Sequence, residues 1–266
     1  MLYRYDEVDI RDGMEDLDGE VSLDATVFIS DGGVFKGIVS NYGTLIIRGG
    51  IADVVIGNHG TVVTHGGVLN AVVQKDGTLT VHEGTITVKE EGGFVNANDR
   101  NATVKFTPSE IRDMKFDRYT TIHKGTKAIN CSVTSTGMVT VFSGGELIGD
   151  SKFSVVHGHV NNNGTMRNIL IDNGGQVTCV DNASLSHCLV DHDAKLVISS
   201  SKKGTRGIIV KRGTVEVKEG AYADCITIER HGKLITRFGC HVTYRDHDGH
   251  LFRMGGNVFK IKEPKT

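Results

Sequence analysis

The sequence has no tryptophan and only 2 prolines among its 266 residues. It also has no apolar run close to the ~20 residues that a membrane-spanning helix needs. The 30 basic and 32 acidic residues nearly cancel, so the overall charge gives no support for electrostatic binding to nucleic acid or to an anionic membrane. We therefore expect neither a nucleic-acid partner nor a membrane span.

Cysteine is scarce as well, with 5 residues, an odd number, and no CxxC spacing. This set argues against a disulfide framework and fits a reducing compartment. Cys179, Cys188 and Cys225 lie in or beside apolar strand patterns, so we expect buried thiols there. The polar, acidic N-terminal residues lack a signal-peptide core, which predicts a cytoplasmic protein. The alternative is a secreted or cell-surface protein, if the chain is a mature fragment.

Glycine is abundant, with 34 residues, about 13 % of the chain, against an average usage of ~7 %. The scarcity of proline excludes a collagen-like chain. The 38 % of hydrophobic residues argues against flexible low complexity. Since glycine adopts positive φ without strain, this excess indicates one backbone turn that is repeated many times.

Residues 32–82 contain that repeat, as three coils of 17 residues. The coils read GGVFKGIVSNYGTLIIR, GGIADVVIGNHGTVVTH and GGVLNAVVQKDGTLTVH. Glycines recur at positions 1 and 2, a Gly-Thr pair at positions 12 and 13, and apolar residues at positions 3, 7, 14 and 16. Positions 14 and 16 have the period of two that is typical of the buried face of a strand.

Weaker copies extend the pattern upstream to Ala25 and downstream through Gly175, Ala194, Gly213 and Gly232, the last four at intervals of 19 residues. Stacked coils place equivalent residues in columns, which explains why a residue type recurs at a coil position. The sequence therefore predicts an all-β fold: a single-stranded parallel β-helix (β-solenoid) of about eleven coils with 17–19 residue repeats.

One insertion interrupts the predicted coils, at residues 94–125. Thr107 suits an N-cap, Pro108 the first helical position and Glu110 the capping-box return, so we expect a loop with a short helix. The predicted organisation is an N-terminal cap (1–20), regular coils (21–93), the insertion (94–125), further coils (126–256) and a C-terminal tail (257–266).

The pattern GG-x4-VV-x3-GT-x-V-x-GG resembles the passenger strand-loop-strand repeats of AIDA-type autotransporter adhesins. The resemblance is clear over residues 25–93 and looser over 131–256. It implies a surface-exposed β-solenoid stalk. The turns differ from those of that family, because they carry Asn58-His59, Lys75-Asp76 and Arg212 instead of a series of serines and threonines.

Three groups of polar residues are candidate sites. Arg48, His65 and His82 share coil position 17, so they form a basic ladder that could receive an anionic ligand. Two clusters of His and Asp have the residue types that bind zinc and similar metals. They comprise Asp191, His192 and Asp193 in one turn, and Asp246, His247 and His250 in another.

The favoured function is a non-catalytic binding or scaffold protein that presents a flat face or the insertion to a protein or carbohydrate partner. We expect no cofactor and no catalytic residue, and a homo-oligomer is possible for a solenoid. One alternative is an intracellular, phage-encoded protein that sequesters a small anionic ligand. A second is a polysaccharide-lyase-like enzyme, for which Asp172 and Asp191 are the only aligned carboxylates.

Overall fold

The computed structural model describes residues 1–4, 7–97, 101–180, 183–199, 205–254 and 261–262. In these residues the regular structure consists of 31 strands and no helix, so no helix there is long and apolar enough to cross a membrane. The strands form a parallel β-solenoid of about 13 turns, which confirms the fold class. The chain divides into two compact units, Met1–Ser109 and Glu110–Thr266.

Unit 1 contains one 11-stranded sheet. Strands β1, β3, β5, β7 and β8 pair in one parallel ladder, and β2, β4, β6 and β8 in a second. The 14-residue strands β8 and β9 pass through both ladders. The strands are β1 Leu2–Arg4, β2 Glu7–Ile10, β3 Glu15–Ser22, β4 Thr26–Ile29, β5 Val34–Val39, β6 Thr44–Ile47, β7 Ile51–Ile56, β8 Thr61–Gln74, β9 Thr78–Glu91, β10 Phe94–Asn96 and β11 Ala102–Phe106.

Unit 2 contains a 12-stranded and an 8-stranded sheet, the first beginning with β12, Ser109–Arg112. Its strand pairs are parallel except at the C-terminal end, where β30 pairs antiparallel with β29 and β31 with β28. The other strands are β13 Lys115–Phe116, β14 Tyr119–Ile122, β15 Thr126–Ile129, β16 Ser132–Val133, β17 Met138–Val141, β18 Glu146–Ile148, β19 Ser154–Val156, β20 His159–Asn162, β21 Thr165–Ile171, β22 Gln176–Cys179, β23 Ser184–Val190, β24 Lys195–Ile198, β25 Thr205–Val210, β26 Thr214–Val217, β27 Tyr222–Ile228, β28 Lys233–Thr236, β29 His241–Arg245, β30 Leu251–Met254 and β31 Ile261–Lys262.

The corner before each Gly-Thr pair explains part of the glycine excess. The positive φ angles belong to the residues that precede the glycine, such as Asn58 at 44° and His59 at 67°. Gly60 is required for another reason, because a Cβ there would lie 2.0 Å from the carbonyl oxygen of Val39 in the preceding coil. At this position glycine permits close stacking of coils, and asparagine supplies the turn, since it tolerates this backbone region better than most residues.

The interior of unit 1 holds coil positions 14 and 16, as the sequence predicted. Leu45, Val62 and Leu79 at position 14 are fully buried. Positions 3 and 7 point the other way, because they alternate with buried residues at positions 4 and 8 such as Phe35 and Val39. The apolar residues at positions 3 and 7 therefore lie on the outer face.

The helix expected within residues 94–125 does not form. The segment instead contributes strands β10 to β14, and these additional strands also raise the number of turns above the predicted eleven. Ser109 and Ile111 are buried while Glu110 and Arg112 are exposed, which is the alternation of a strand. The Thr107 hydroxyl does not cap a helix, because it donates to the carbonyl of Val88 in the preceding coil. Hydrogen bonding along the ladder therefore outweighs the local capping signal.

The cysteines follow the expectation of burial with one exception. Cys131, Cys179, Cys188 and Cys240 are buried, and burial raises the pKa of Cys179 to about 12. Cys225 is exposed, contrary to the prediction. Its φ of 55° lies in the left-handed region, which interrupts the regular alternation of inward and outward side chains along β27.

The predicted caps remain predictions. Residues 1–20 contain β1, β2 and most of β3, so this end already belongs to the strand ladders. Apart from Ile261–Lys262, the predicted tail at 257–266 lies outside the described residues.

Candidate functional site

The basic ladder lies in unit 1, where Arg48 directly follows β6 and His65 and His82 lie within β8 and β9. The guanidinium of Arg48 lies over the ring of Phe28, 4.2 Å from its centroid. His65 and His82 stack with their ring centroids 4.9 Å apart and an angle of 11° between the planes. The structure thus brings the two imidazoles together, as the repeat register implies, and holds Arg48 by a cation–π contact. Anion binding there stays a prediction.

Asp191 is the centre of an ionic cluster at a corner of unit 2. It is buried, and both carboxylate oxygens accept from Arg212, at 2.7 Å from Nε and 2.9 Å from the terminal nitrogen. The hydrogen bonds from Arg212 lower the pKa of Asp191 to about 2, against the opposing effect of burial. The guanidinium thus engages both oxygens of Asp191, and the backbone N–H of His192 also donates to Oδ1.

The neighbouring residues of the cluster turn toward different partners. His192 Nδ1 lies 2.6 Å from Asp172 Oδ1 and 3.7 Å from Asp191 Oδ2. Asp193 occupies the turn itself, with a φ of 61°. Within the described residues, Asp191, His192 and Asp193 do not form a group whose three ligand atoms converge. Metal binding by these three residues therefore gains no geometric support.

Glu216 repeats the arrangement of Asp191 further along unit 2. Its carboxylate is largely buried and lies 3.0 Å from Lys195 Nζ and 3.1 Å from a terminal nitrogen of Arg237. Hydrogen bonds from Lys195 and Arg237 lower its pKa. Two buried carboxylates are thus held ionised by cations from adjacent coils, which is the chemistry of a structural tie.

The loop after β29 brings together part of the second predicted metal cluster. Asp246 is buried, and its Oδ1 accepts from the backbone N–H groups of Asp248 and His250. Ligand atoms of Asp246, Asp248 and His250 lie within 4.8 Å of one another. His247 is not part of this group; its Nε2 lies 3.3 Å from Asp248 Oδ2. Asp248 lies in the segment 246–250 that the sequence singles out, but it is not among the three residues named for the site. Metal binding there stays a prediction.

The outer face of β5, β7 and β8 is a regular surface of unit 1, and the sequence analysis expects a flat face without naming its residues. We call it the flat face. Two apolar columns, positions 3 and 7, flank a polar column at position 5, in which Lys36 Nζ lies 3.9 Å from Asp53 Oδ2. Three apolar side chains are 42–51 % exposed: Ile38, Ile51 and Val68. The remaining apolar members are Val34, Val55 and Val72.

Comparison with known proteins does not assign the chain to a family. No protein-family model matches it, and no curated protein matches it. Among solved structures, the TibC-catalysed hyper-glycosylated TibA fragment is similar, with 14 % identity and a TM-score of 0.43 over 86 % of this chain and 91 % of that chain. This likeness is too distant to support an argument about function, and the fold rests on the strand pairing described above.

Proposed function

We propose that the chain is a non-catalytic β-solenoid scaffold whose flat face binds a protein partner. The observation that carries this proposal is the pair of apolar columns at coil positions 3 and 7. Water-exposed β-branched side chains are unremarkable singly, but a contiguous apolar patch is typical of an interaction surface. The resemblance of the repeats to adhesin passengers agrees with such a role.

The flat face combines features that favour protein recognition. Its backbone is fixed by parallel pairing on both sides, as in Ile51 with Val34 and with Val68. A rigid surface loses little conformational entropy on binding. The apolar columns supply buried area, and the Lys36–Asp53 column supplies charges of both signs that orient the partner.

The two alternative functions have less support. A lyase-like site would need free carboxylates, whereas Asp191 is engaged by Arg212 and Asp172 by His192. A site for a small anion at Arg48, His65 and His82 would use an arginine whose guanidinium already contacts the ring of Phe28. A second copy of the chain or a glycan remains a possible occupant of the flat face and is an outcome of the test.

The test is saturable binding of the labelled, full-length chain to intact cells and to a protein array. The double variant Ile51→Thr, Val68→Thr keeps β-branched side chains but removes apolar surface. We expect it to bind at least 10-fold more weakly, a change of about 1.4 kcal/mol. The matched control is Ile46→Thr, Val63→Thr, which changes outward residues of the other ladder.

Three results would overturn the proposal. These are equal loss of binding in both double variants, no saturable protein binding at all, and binding only to glycans. Sedimentation of the wild-type chain alone identifies a second copy as the occupant, if dimerisation is lost only in the flat-face variant.

A further inference from the structure

The outer face of unit 2 is interrupted by a break in register between β27 and β29. Ala223 pairs with Val242 and Ile226 with Tyr244, so Asp224 and Cys225 together face the single residue Thr243. The preceding strands have left-handed residues at the equivalent place, such as His187 in β23, but their register stays continuous. An extra residue bends a strand and re-aims its side chains. The outer face therefore opens at this point.

The opening is a groove of about 590 Å³. Strand β30 forms its far side, because antiparallel pairing sets Arg253 opposite Thr243 and Leu251 opposite Arg245. Paired residues of an antiparallel ladder project to the same side. The polar groups of the groove therefore come from three adjacent strands and point outward together.

One end of the groove accepts hydrogen bonds. Asp224 Oδ1 accepts from the hydroxyl of Thr243 at 2.6 Å, and Thr243 Oγ1 accepts from the backbone N–H of Cys225 at 3.0 Å. The Tyr222 hydroxyl also donates to Asp224, and this hydrogen bond is the main reason that the pKa of Tyr222 is raised. These donors hold the carboxylate in place, and its remaining lone pairs can accept from a ligand.

The other end of the groove is cationic. Within the described part of the chain, Arg245 makes only a long hydrogen bond, 3.4 Å, to the carbonyl of Gly249. Arg253 has no ion-pair partner among the residues that the structure describes. A guanidinium presents donors in a planar fork that matches a carboxylate. Strand spacing of ~4.8 Å and a rise of ~3.3 Å per residue put the Cα atoms of Asp224 and Arg245 about 8 Å apart.

We propose that this groove binds an acidic saccharide, with a sugar carboxylate at Arg245 and Arg253, hydroxyl groups at Asp224 and a ring face against Tyr222. The two ends select different chemistry. A purely anionic ligand such as a polyphosphate would be repelled at Asp224 and offers it no donor. A neutral saccharide would leave both guanidinium groups without an anion. This site is separate from the flat face, which lies in unit 1.

The experiment titrates the full chain with trigalacturonate, and with the neutral galactotriose as the matched ligand, by isothermal calorimetry at low salt. We expect trigalacturonate to bind at least 10-fold more tightly than galactotriose. Arg253→Gln should weaken its binding about 10-fold, and Asp224→Asn should weaken it several-fold. Arg167→Gln is the control, because it removes an exposed arginine on β21, outside the groove.

The thermal unfolding midpoint of each variant verifies that it is folded. Equal affinity for the two trisaccharides would overturn the proposal, and so would undiminished binding by the folded Arg253→Gln variant. Acetate or inorganic phosphate that competes as well as trigalacturonate would show a simple anion site and would likewise overturn it.

Discussion

At the scale of single residues, the charged side chains of unit 2 connect one coil to the next along a diagonal. Arg212 lies 21 residues after Asp191, and Arg237 lies 21 residues after Glu216. The strands themselves pair at a spacing of 20 for β23 and β25, as in Val190 with Val210, and of 19 for β26 and β28, as in Thr214 with Lys233. Each guanidinium therefore lies one or two residues beyond the position opposite its carboxylate and reaches back to it. Asp191 follows β23 at a corner, whereas Glu216 lies within β26, so these ties join adjacent coils both at a turn and along a strand.

The first prediction concerns Arg212→Gln. This variant leaves the buried Asp191 carboxylate without its bidentate partner, so the free energy of unfolding should fall by about 1–3 kcal/mol at pH 7. The pKa of Asp191 is lowered in the folded state from 3.8 to about 2. The stabilisation is therefore present above pH 3.8 and is lost as the pH falls toward 2.

Urea unfolding at several pH values measures this difference. The gap between wild type and Arg212→Gln should narrow between pH 4 and pH 2. The control is Arg206→Gln, which removes an exposed arginine from β25. A gap that stays constant down to pH 2 would contradict the assignment of the pair.

At the scale of elements, residues 109–122 show how a ladder overrides a local signal. The sequence Thr-Pro-Ser-Glu has the features of a helix start, yet its residues pair along the stack. Ser109 donates its hydroxyl to the carbonyl of Glu90, and the alternate side chains Ile111 and Phe116 are buried. The stabilisation from burial and inter-coil hydrogen bonds together exceeds that from a helix cap, which is worth about 1 kcal/mol.

The second prediction distinguishes the two structures for this segment. In a strand, Ile111→Ala should cost about 2–5 kcal/mol, because it empties a buried position. Glu110→Ala should change stability by less than about 0.5 kcal/mol, because the side chain is exposed and its ion pair with Arg112 lies at the surface. Chemical denaturation measures both. A cost of about 1 kcal/mol for Glu110→Ala would instead indicate a capping role.

Because of the repeat, most of the regular coils could be predicted from the sequence alone. Position 14, occupied by Leu45, Val62 and Leu79, is predictable because period-two burial and recurrence coincide there. The outward direction of Ile51 and Val68 is not evident from their recurrence, since both faces of these strands carry apolar residues. The sequence does not show which face of the strand is inside the solenoid, so the inward direction of the neighbouring Phe35 is known only from the structure.

The candidate sites divide in the same way. The stack of His65 on His82 follows from a shared coil position. The pairing of Asp191 with Arg212 does not, because it depends on side-chain reach along a diagonal. The groove at Asp224 depends on a single extra residue in β27, and the weak downstream repeats do not locate such a residue.

At the scale of the whole molecule, the C-terminal end of unit 2 has both sheets covered. Strand β30 pairs antiparallel with β29, and β31 pairs antiparallel with β28. A long strand at this end would present a row of unpaired N–H and C=O groups, which template the addition of other chains, whereas the edges left by β30 and β31 are only 4 and 2 residues long. The two antiparallel strands therefore limit the addition of further strands at this end.

The third prediction is that deletion of residues 250–266 exposes the edges of β28 and β29 and causes self-association. Light scattering and thioflavin fluorescence should rise with protein concentration for this variant. Deletion of only 263–266 keeps β30 and β31 and serves as the control. A monomeric, soluble 250–266 deletion would show that these strands are not needed to block edge pairing.

The short and nearly constant spacing of paired residues has a consequence for how the chain reaches its native state. Leu2 pairs with Glu20, Ile51 with Val68 and Thr214 with Lys233. Each pairing closes a loop of about one coil, so the entropy lost in closure is similar at every step. Folding can then nucleate in one coil and propagate to its neighbours. Within unit 1, the regular coils of residues 32–82 are the natural place for such a nucleus.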